Sequence, residues 1–598
     1  MMRGKLSDKI KQIDVYKIGG FLSGDPEGLV KIIHEIVGTV PAGHFPVIYV
    51  SAIKNEEVAE MAGIYNPGSV KSLTDLLVDS DKIIDSISGS TKLKSERFKG
   101  ILTQLHHRIM DELGIKEDII LIPTDEKVSA SEYQTKRISL EEAISSKVSR
   151  ITTSVVRRYE ATFTPQQLDS LYGEGDFLAT MIISALYNKK LRELRTGQKD
   201  LPINLSRPVT AREVGFVSDN SYLDANIIEE ATLKFMPGAF YRKFLKRGVT
   251  PFIAGFRAIT FDGNKKYETT IGRNGTDTSS TWGMAMLYEL SKKYGFDVPL
   301  TLTFLKDTDG CLSGDPKYIG NAMTVRYMSY RSADEAGNIH NKALAPLVSR
   351  DLRIIVRDYG DPEYKERGTF TEIGPPRGEN KIDMVNNPKK AYLLGIERVE
   401  DSPGKLGVIT SLIGEFGVNI IDVYGAPRDP SFTLEEIAQK QLDMLRGEIT
   451  KNGAQDKTKY FSSIQKKLAQ EGFNISLWAV QQVHNYLTEN SKLDFNFENY
   501  LGCICDELQL IGYKPAGYKK AYYISVIGDI GDKQEREFFK LIGQYDPLAK
   551  GGVITHANRL STVLPRTDEP TIKRIANEIH DKLILPYHQK SNQLSFQF

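Results

Sequence analysis

The stretch TTIGRNGTD, residues 269–277, is the most informative segment of the chain, and TSSTWGMAML follows it directly. It places Arg273 between two glycines and then crowds Asp277 and several hydroxyl side chains at the predicted start of a helix. A turn needs only a glycine or a proline, so the additional cation, carboxylate and hydroxyls indicate a binding function. We expect the ligand of this segment to be an anion.

Composition limits the classes of function. The chain has 598 residues, a length that predicts roughly three to five domains. Its 78 Lys and Arg residues nearly balance 77 Asp and Glu residues, so no overall field attracts nucleic acid or an anionic membrane. Three cysteines without paired spacing favour a reducing compartment over a disulfide framework or a structural metal site. The first residues carry no apolar segment, and we expect a cytoplasmic protein.

The first 375 residues predict an α/β fold. QIDVYKIGG indicates a strand that ends in two glycines, and the helix after it has Asp25 at its N-cap and Pro26 at its first position. FPVIYVSA is nearly continuous in apolar residues, as expected in a mostly parallel sheet covered by helices on both faces. EVGFVSDN and VTPFIAGF also indicate strands, and LDSLYGEGDFLATMIISALY indicates a helical hairpin or one long helix.

The remainder of the chain has a different organisation. Residues 376–390, rich in Pro, Gly, Asn and charge, indicate a linker. Strand, helix and strand patterns at 391–431 and 518–590 indicate two copies of a small βαββαβ module, the first of them only its first half. Residues 432–517 between them form a polar, helix-rich insert, in which Thr433 and Glu436 have capping-box spacing. We expect this insert to pack on the small modules as a helical addition.

Two further segments have the residues of a phosphate site. Lys17 lies at a strand end before a glycine turn and a helix start, where amides and the helix dipole favour phosphate. In KDTDGCLSGDPK, Asp307, Asp309 and Asp315 surround two glycines and are candidates for a ribose or magnesium-phosphate rim. A plain strand-turn junction and a solvated aspartate-glycine turn remain the alternatives for these segments.

The order of these motifs resembles that of the aspartate kinases. KIGG resembles their KFGG, and VSA, GE at 173–174, AREV at 211–214 and GF at 255–256 follow in order. TTIGRNGTD resembles TTLGRGGSD, and DTDGCLSGDPK resembles DVDGVYTADPR. DSPGKLGVITSLIGEFGVNIIDV resembles the ACT regulatory module, which these kinases carry in tandem. The resemblance covers most of the chain except residues 432–517. It implies an amino-acid-kinase-type sandwich followed by two ferredoxin-like ACT modules.

The resemblance also implies roles for single residues. Arg273 would bind the substrate α-carboxylate, Glu174 and Asp277 its α-amino group, and Lys17 would offset charge on the transferred phosphoryl group. The implied catalytic residues are Lys17 and Asp277, and the implied substrate-binding residues are Ser51, Glu174, Phe256, Arg273 and Thr276. The implied nucleotide-binding residues are Gly19, Gly20, Ser23, Asp307, Thr308, Asp309, Asp315 and Lys317. The implied effector-binding residues are Ser402, Gly404, Leu406, Asn419, Ile420 and Asp422.

The implied reaction is MgATP-dependent phosphorylation of L-aspartate to 4-phospho-L-aspartate, with magnesium bound mainly through the phosphates. Lysine or threonine is the implied effector, and exposed ACT sheet edges favour a homo-oligomer. Three positions and one segment depart from the family pattern, since after VSA the chain reads IKNEEV in place of the expected glycine and threonine. Phe21 and Leu22 replace hydroxyl residues, and Gly337 replaces a lysine that reaches ATP, for which Lys342 is the candidate substitute. The alternatives are therefore a kinase of another amino acid or carboxylate and a non-catalytic amino-acid sensor.

Overall fold

The computed structural model describes residues 10–586 with gaps. The residues outside the description are 1–9, 55–71, 79, 81–82, 85–86, 88, 124–134, 162, 197–204, 264, 273, 296–297, 338, 362, 378–380, 387, 398, 400–404, 427–428, 451–460, 463, 466–467, 469–472, 490–494, 546–553, 557–558, 566–567 and 587–598. The described chain forms two compact units. The first unit runs to Cys311 and resumes over Thr324–Arg377, and the second contains Leu312–Met323 and the chain from residue 381 onward.

The first unit is built on an eight-stranded sheet. In chain order its strands are β1 (Gln12–Ile18), β2 (His44–Val50), β5 (Leu205–Val209), β6 (Val249–Ala254), β9 (Leu300–Lys306), β10 (Tyr327–Ser329), β11 (Ile354–Asp358) and β12 (Phe370–Gly374). Their spatial order is β10-β12-β11-β9-β1-β2-β6-β5, and every pair is parallel except β11 with β12. The predicted α/β class with a mostly parallel sheet is confirmed.

Helices and two antiparallel hairpins complete this unit. The hairpins are β3 (Ile119–Pro123) with β4 (Thr135–Ser139) and β7 (Arg257–Asp262) with β8 (Lys265–Thr270). The described helices are Gly20–Ser23, Pro26–Thr39, Leu73–Val78, Thr91–Leu113, Leu140–Glu160, Pro165–Tyr172, Glu174–Arg195, Ala211–Val214, Glu229–Lys243, Gly275–Tyr294, Tyr330–Glu335, Asn341–Val348 and Tyr364–Arg367. No helix in the described part of the chain is both long and apolar enough to cross a membrane.

The first βαβ unit shows how the sequence specifies this arrangement. Asp25 caps the helix Pro26–Thr39 by accepting from the Gly28 amide at 3.0 Å, as its sequence position predicts. The helix buries Leu29, Ile32, Ile33 and Ile36 and returns the chain to β2, beside β1. Since β9 lies on the other side of β1, the connections diverge there, and a crevice is expected at the carboxyl ends of these strands.

The second unit contains a seven-stranded sheet. Its strands are β13 (Lys381–Val385), β14 (Lys389–Glu397), β15 (Ile420–Ala426), β16 (Asp429–Glu435), β17 (Lys514–Asp529), β18 (Ile554–His556) and β19 (Arg559–Pro565). The order is β15-β16-β14-β17-β19-β18, and β13 also pairs with β17. The described helices are Lys405–Glu415, Gln439–Thr450, Leu477–Glu489, Phe497–Leu510, Asp532–Tyr545 and Glu569–Ile579, which continues as a π-helix over His580–Ile584.

The long strand β17 joins the two small modules of this unit. Its first part pairs with β14 of the earlier module, and its later part pairs with β19 and β13. Because β13 precedes β14 in the chain, the earlier module is inserted between two strands of the later one. The two modules are therefore interleaved, whereas the sequence analysis placed them one after the other.

Several sequence predictions need correction. Residues 381–385 of the predicted linker form β13, because their alternating apolar side chains find a partner in β17. EVGFVSDN is not a strand; residues 211–214 are helical, and Val217 and Ser218 form isolated bridges only. The Thr433 capping box is wrong, since Thr433 lies in β16 and the helix starts at Gln439.

The helices of the predicted insert share one hydrophobic core with the earlier module, which confirms their packing there. Tyr500 is fully buried, its hydroxyl donates to the Phe416 carbonyl at 2.6 Å, and Phe416 also contacts the ring of Trp478. The predicted boundaries 432–517 need correction, because β16 and the start of β17 fall inside them. The insert contributes many of the buried side chains of this core.

Removing the Tyr500 hydroxyl should therefore destabilise the second unit. We expect Tyr500→Phe to lower the free energy of unfolding by about 1–3 kcal/mol, because the buried Phe416 carbonyl loses its donor. Urea unfolding followed by Trp478 fluorescence, in a Trp282→Phe background, measures this change. Tyr513→Phe is the matched control; its hydroxyl bonds the Lys405 carbonyl at 3.3 Å in a less buried place, so its loss should be smaller. Equal losses would contradict the assignment.

Candidate active site

A glycine turn follows β1 and brings the main chain close to the loop after β2. A Cβ atom on Gly20 would lie 2.8 Å from the Ala52 carbonyl oxygen, so only glycine fits there. Ser23 is buried, and its hydroxyl lies 3.1 Å from the carbonyl oxygens of both Gly19 and Ser51. The Ser23 proton is thus used to join the two loops. Leu22, which replaces a hydroxyl residue of the family pattern, is buried in the core.

The two predicted catalytic residues meet directly. Lys17 is the penultimate residue of β1, and Asp277 lies in the first turn of the helix Gly275–Tyr294. Lys17 Nζ is 2.7 Å from Asp277 Oδ1, and both side chains are largely buried. The ion pair holds an ammonium group beside the glycine turn and at the carboxyl end of the parallel sheet. This is a suitable position for charge stabilisation of a phosphoryl group.

The segment before that helix is held in place by neighbouring loops. Ile271 donates to the Phe256 carbonyl at 3.2 Å, and Thr276 packs against the backbone at Gly255. Asn274 takes a left-handed conformation with φ of 59°, which lets the chain enter the helix. Arg273, the predicted α-carboxylate ligand, lies outside the described residues.

Asp169 holds the chain before the helix Gly275–Tyr294 in place through hydrogen bonds. Its carboxylate accepts from the Thr270 hydroxyl and from the Leu223 amide, at 3.1 Å for the amide. Burial raises the pKa of Asp169, and these donors act in the opposite direction. Asp169 was not identified from the sequence, because nothing in its local pattern distinguishes it from an ordinary helix-surface aspartate.

Glu174 is held in a buried network of cations. Its carboxylate lies 2.6 Å from Lys147 Nζ and 3.4 Å from Arg257, which also pairs with Glu268 at 3.1 Å. A Cβ atom on Gly173 would fall 1.9 Å from Arg257 Nε, which explains the glycine of the GE motif. Burial alone raises the pKa of Glu174, but Arg257 and Lys147 outweigh it and hold that pKa below its usual range.

Asp176 lies two residues further along the same helix, Glu174–Arg195, and is 3% exposed. Its Oδ1 atom accepts from the Ala52 amide at 2.6 Å, and its Oδ2 atom has no hydrogen-bond partner among the described residues. Burial raises the pKa of Asp176 to about 7, and the Ala52 amide, Arg257, the Phe256 amide and Lys17 act against this rise. The sequence signal that could have identified Asp176 is its position beside a helix start and a glycine turn.

The predicted nucleotide residues are divided between the two units. Asp307, Thr308 and Asp309 follow β9 in the first unit and are exposed. Burial, together with the neighbouring acids Asp358 and Asp361, raises the pKa of Asp309. Asp315 and Lys317 belong to the second unit, where the Lys317 amide donates to Asp315 Oδ1 at 2.9 Å. Within the described residues, no group of three or more His, Cys, Asp or Glu side chains is arranged to bind a metal.

Two further motif residues have structural partners. Lys342, the candidate substitute for the family lysine, forms an ion pair with Asp224 at 2.7 Å. Glu213 of the AREV motif pairs with Arg207 and accepts from the Thr210 amide at 3.0 Å, so it caps a short helix. Gly337 is in a left-handed turn with φ of 67°.

The predicted effector residues lie in the second unit. Ser402 and Gly404 are outside the described residues, and the side chains of Leu406 and Asp422 are not described. Leu406 lies in the helix Lys405–Glu415, and Ile420 and Asp422 lie in β15. The side-chain amide of Asn419 donates to the Glu435 carboxylate at 3.2 Å, and Glu435 also pairs with Lys389.

Known proteins provide an independent comparison. The model of the amino acid kinase family matches residues 236–358. The aspartokinase of Mycobacterium tuberculosis is 24% identical over 301 residues, which are 48% of this chain and 64% of that protein. The structure of E. coli aspartokinase III in complex with lysine and aspartate superposes with a TM-score of 0.58 at 14% identity, covering 96% of this chain and 99% of that one. The same enzyme with aspartate and ADP gives 0.56 at 13% identity, with coverages of 96% and 100%.

The structural likeness concerns the fold, because the sequence identity is low. The alignment spans less than two thirds of the curated relative's length. The family model nevertheless matches the helix that carries Asp277 and the strand that precedes Asp307. Together, the family match over residues 236–358, the curated relatives and the fold show that this chain is similar to the aspartate kinases.

Proposed function

We propose that the protein transfers the γ-phosphoryl group of MgATP to the side-chain carboxylate of L-aspartate, giving 4-phospho-L-aspartate and ADP. The observation that carries this proposal is the Lys17–Asp277 ion pair of 2.7 Å beside the glycine turn. The aspartokinases among the relatives and the aspartate and ADP of one structural neighbour support the choice of substrates. Kinases of another amino acid or carboxylate remain the nearest alternative.

In this proposal the chain supplies positions and charges and no covalent nucleophile. A carboxylate oxygen of the substrate attacks the γ-phosphorus, and the bond from that phosphorus to the β,γ-bridging oxygen breaks as ADP leaves. Lys17 stabilises negative charge on the transferred group, and Asp277 holds the ammonium in place. Arg273 is the proposed ligand of the substrate α-carboxylate, since its planar guanidinium matches a carboxylate.

The glycine turn fits the phosphates of a nucleotide. Gly20 leaves no room for a side chain next to Ala52, and the amides of the turn precede two helix starts. Magnesium bound to the phosphates would neutralise part of their charge. We propose that magnesium is held mainly through the phosphates, since Mg²⁺ usually keeps waters and takes few protein ligands.

We further propose that the small modules of the second unit bind an amino-acid effector, with lysine or threonine as candidates, and that the protein is a homo-oligomer. The lysine bound in the complex of E. coli aspartokinase III supports an amino-acid effector. Asn419 and the nearby β15 are the described residues proposed for this contact.

A coupled assay of ADP release across a panel of amino acids tests the proposed function. We expect release with L-aspartate that requires ATP and magnesium together. Release with a different amino acid and none with L-aspartate would support the alternative substrate, and no release with any amino acid would contradict a catalytic role.

A further inference from the structure

The substrate α-ammonium group needs a carboxylate partner, and the two residues that the resemblance implies are already engaged. Glu174 contacts Lys147 at 2.6 Å and Arg257 at 3.4 Å. Asp277 contacts Lys17 at 2.7 Å. Both carboxylates therefore already have buried cationic partners. A different acidic side chain is therefore the better candidate for the partner of the α-ammonium group.

Asp176 has the geometry that such a partner requires. Its Oδ1 atom is fixed by the Ala52 amide at 2.6 Å, and Ala52 follows β2, the strand beside Lys17. Its Oδ2 atom is buried and has no hydrogen-bond partner within the described residues. A buried polar atom without a hydrogen-bond partner lowers the stability of the fold unless a bound ligand supplies that partner. The carboxyl is thus held in position by one oxygen, while the other oxygen has no partner among the described residues.

The ion pairs around the site also favour Asp176. Lys17 is paired with Asp277, Lys147 with Glu174, and Arg257 with Glu268 and Glu174. Asp176 forms no ion pair among the described residues, and the backbone amides of Ala52 and Phe256 favour its charged form. We propose that Asp176, through its free Oδ2 atom, is the carboxylate that binds the α-ammonium group of the amino-acid substrate. This inference rests on the proposed function and gives Glu174 a positioning role through Arg257.

The protonation of Asp176 should change when the amino acid binds. The groups that face Asp176 or its neighbours are Lys17 on β1, Arg257 on β7, Glu268 on β8, Lys147 on the helix Leu140–Glu160, Glu174 on its own helix and Asp277 on the helix Gly275–Tyr294. Burial raises the pKa of Asp176 to about 7, so below this pH the free protein holds a neutral carboxyl. A bound ammonium favours the carboxylate, lowers that pKa and expels the proton. Affinity for the amino acid should therefore fall as the pH drops below about 7.

Calorimetric titration of the full chain tests this without any requirement for turnover. L-aspartate and succinate, which lacks the amino group, are titrated at pH 7 in two buffers of different ionisation enthalpy. We expect L-aspartate to release roughly half a proton per site, because a group with its pKa near the working pH is half protonated. Succinate should release none. Asp176→Asn should lower the affinity for L-aspartate about 10- to 100-fold, change that for succinate far less, and abolish proton release.

Glu174→Gln is the matched control from the same helix. We expect this variant to keep the proton release and to lower the melting temperature, since Lys147 and Arg257 lose part of their buried counter-charge. Phosphorylation of L-aspartate without linked proton release, with unchanged affinity in Asp176→Asn, would overturn the inference and leave the proposed function intact. If L-aspartate is neither bound nor phosphorylated, both are wrong. The wild-type titration decides even if a variant fails to fold.

Discussion

Replacement of Lys17 by alanine is expected to lower kcat about 100- to 1,000-fold, the size typical for loss of a group that stabilises transition-state charge. The apparent affinity for the amino acid should change much less, because Lys17 acts on the transferred phosphoryl group. The loss should therefore appear in kcat and not in KM. Steady-state ADP release at saturating ATP, with L-aspartate varied, measures the two parameters separately.

Lys17→Ala also leaves Asp277 buried without its cation, so thermal melting must show that the variant is folded. Lys17→Arg is the matched control, since it keeps the positive charge but replaces a compact ammonium by a planar guanidinium. We expect it to retain more activity than the alanine variant. Equal activity of Lys17→Ala and the wild type, or a loss confined to KM, would contradict the role of Lys17.

Changes at Arg273 should have the opposite kinetic signature. Arg273→Ala should weaken the apparent affinity for the amino acid by on the order of 2–5 kcal/mol, because the substrate α-carboxylate is left unpaired. Arg273→Lys keeps the charge and loses the two-pronged geometry, so its effect should be smaller. Nucleotide affinity, measured by titration with ADP, should stay near the wild-type value. Wild-type KM values in both variants would show that Arg273 is a hydrated turn residue.

The parts of the fold that local patterns specify were predictable. Asp25 at the N-cap, Pro26 at the first helical position and the apolar runs of β1, β2 and β6 act within a few residues, and each was located correctly. The resemblance grouped Lys17 and Asp277 as catalytic residues, but their direct ion pair was not predicted from the sequence.

The features that sequence missed depend on contacts between distant segments. Residues 381–385 became a strand because β17, more than a hundred residues later, pairs with them. The motif that contains Asp307 and Asp315 was interpreted as one loop, but the chain passes from the first unit to the second after Cys311. Likewise, the partners of Glu174 come from a helix and a hairpin that no local spacing connects to it. The candidate role of Asp176 could be recognised only after the structure showed which neighbouring acids already form ion pairs.

Hydroxylamine trapping tests the central claim most directly, because it identifies the group that receives the phosphoryl. The protein is incubated with MgATP, L-aspartate and hydroxylamine, and the product is identified by mass spectrometry against both aspartyl hydroxamate isomers. The account predicts the side-chain hydroxamate, formed only when ATP and L-aspartate are both present and strongly reduced in Lys17→Ala. ADP release without any hydroxamate, or no product while an amino acid still binds to the second unit, would contradict it and favour the amino-acid sensor.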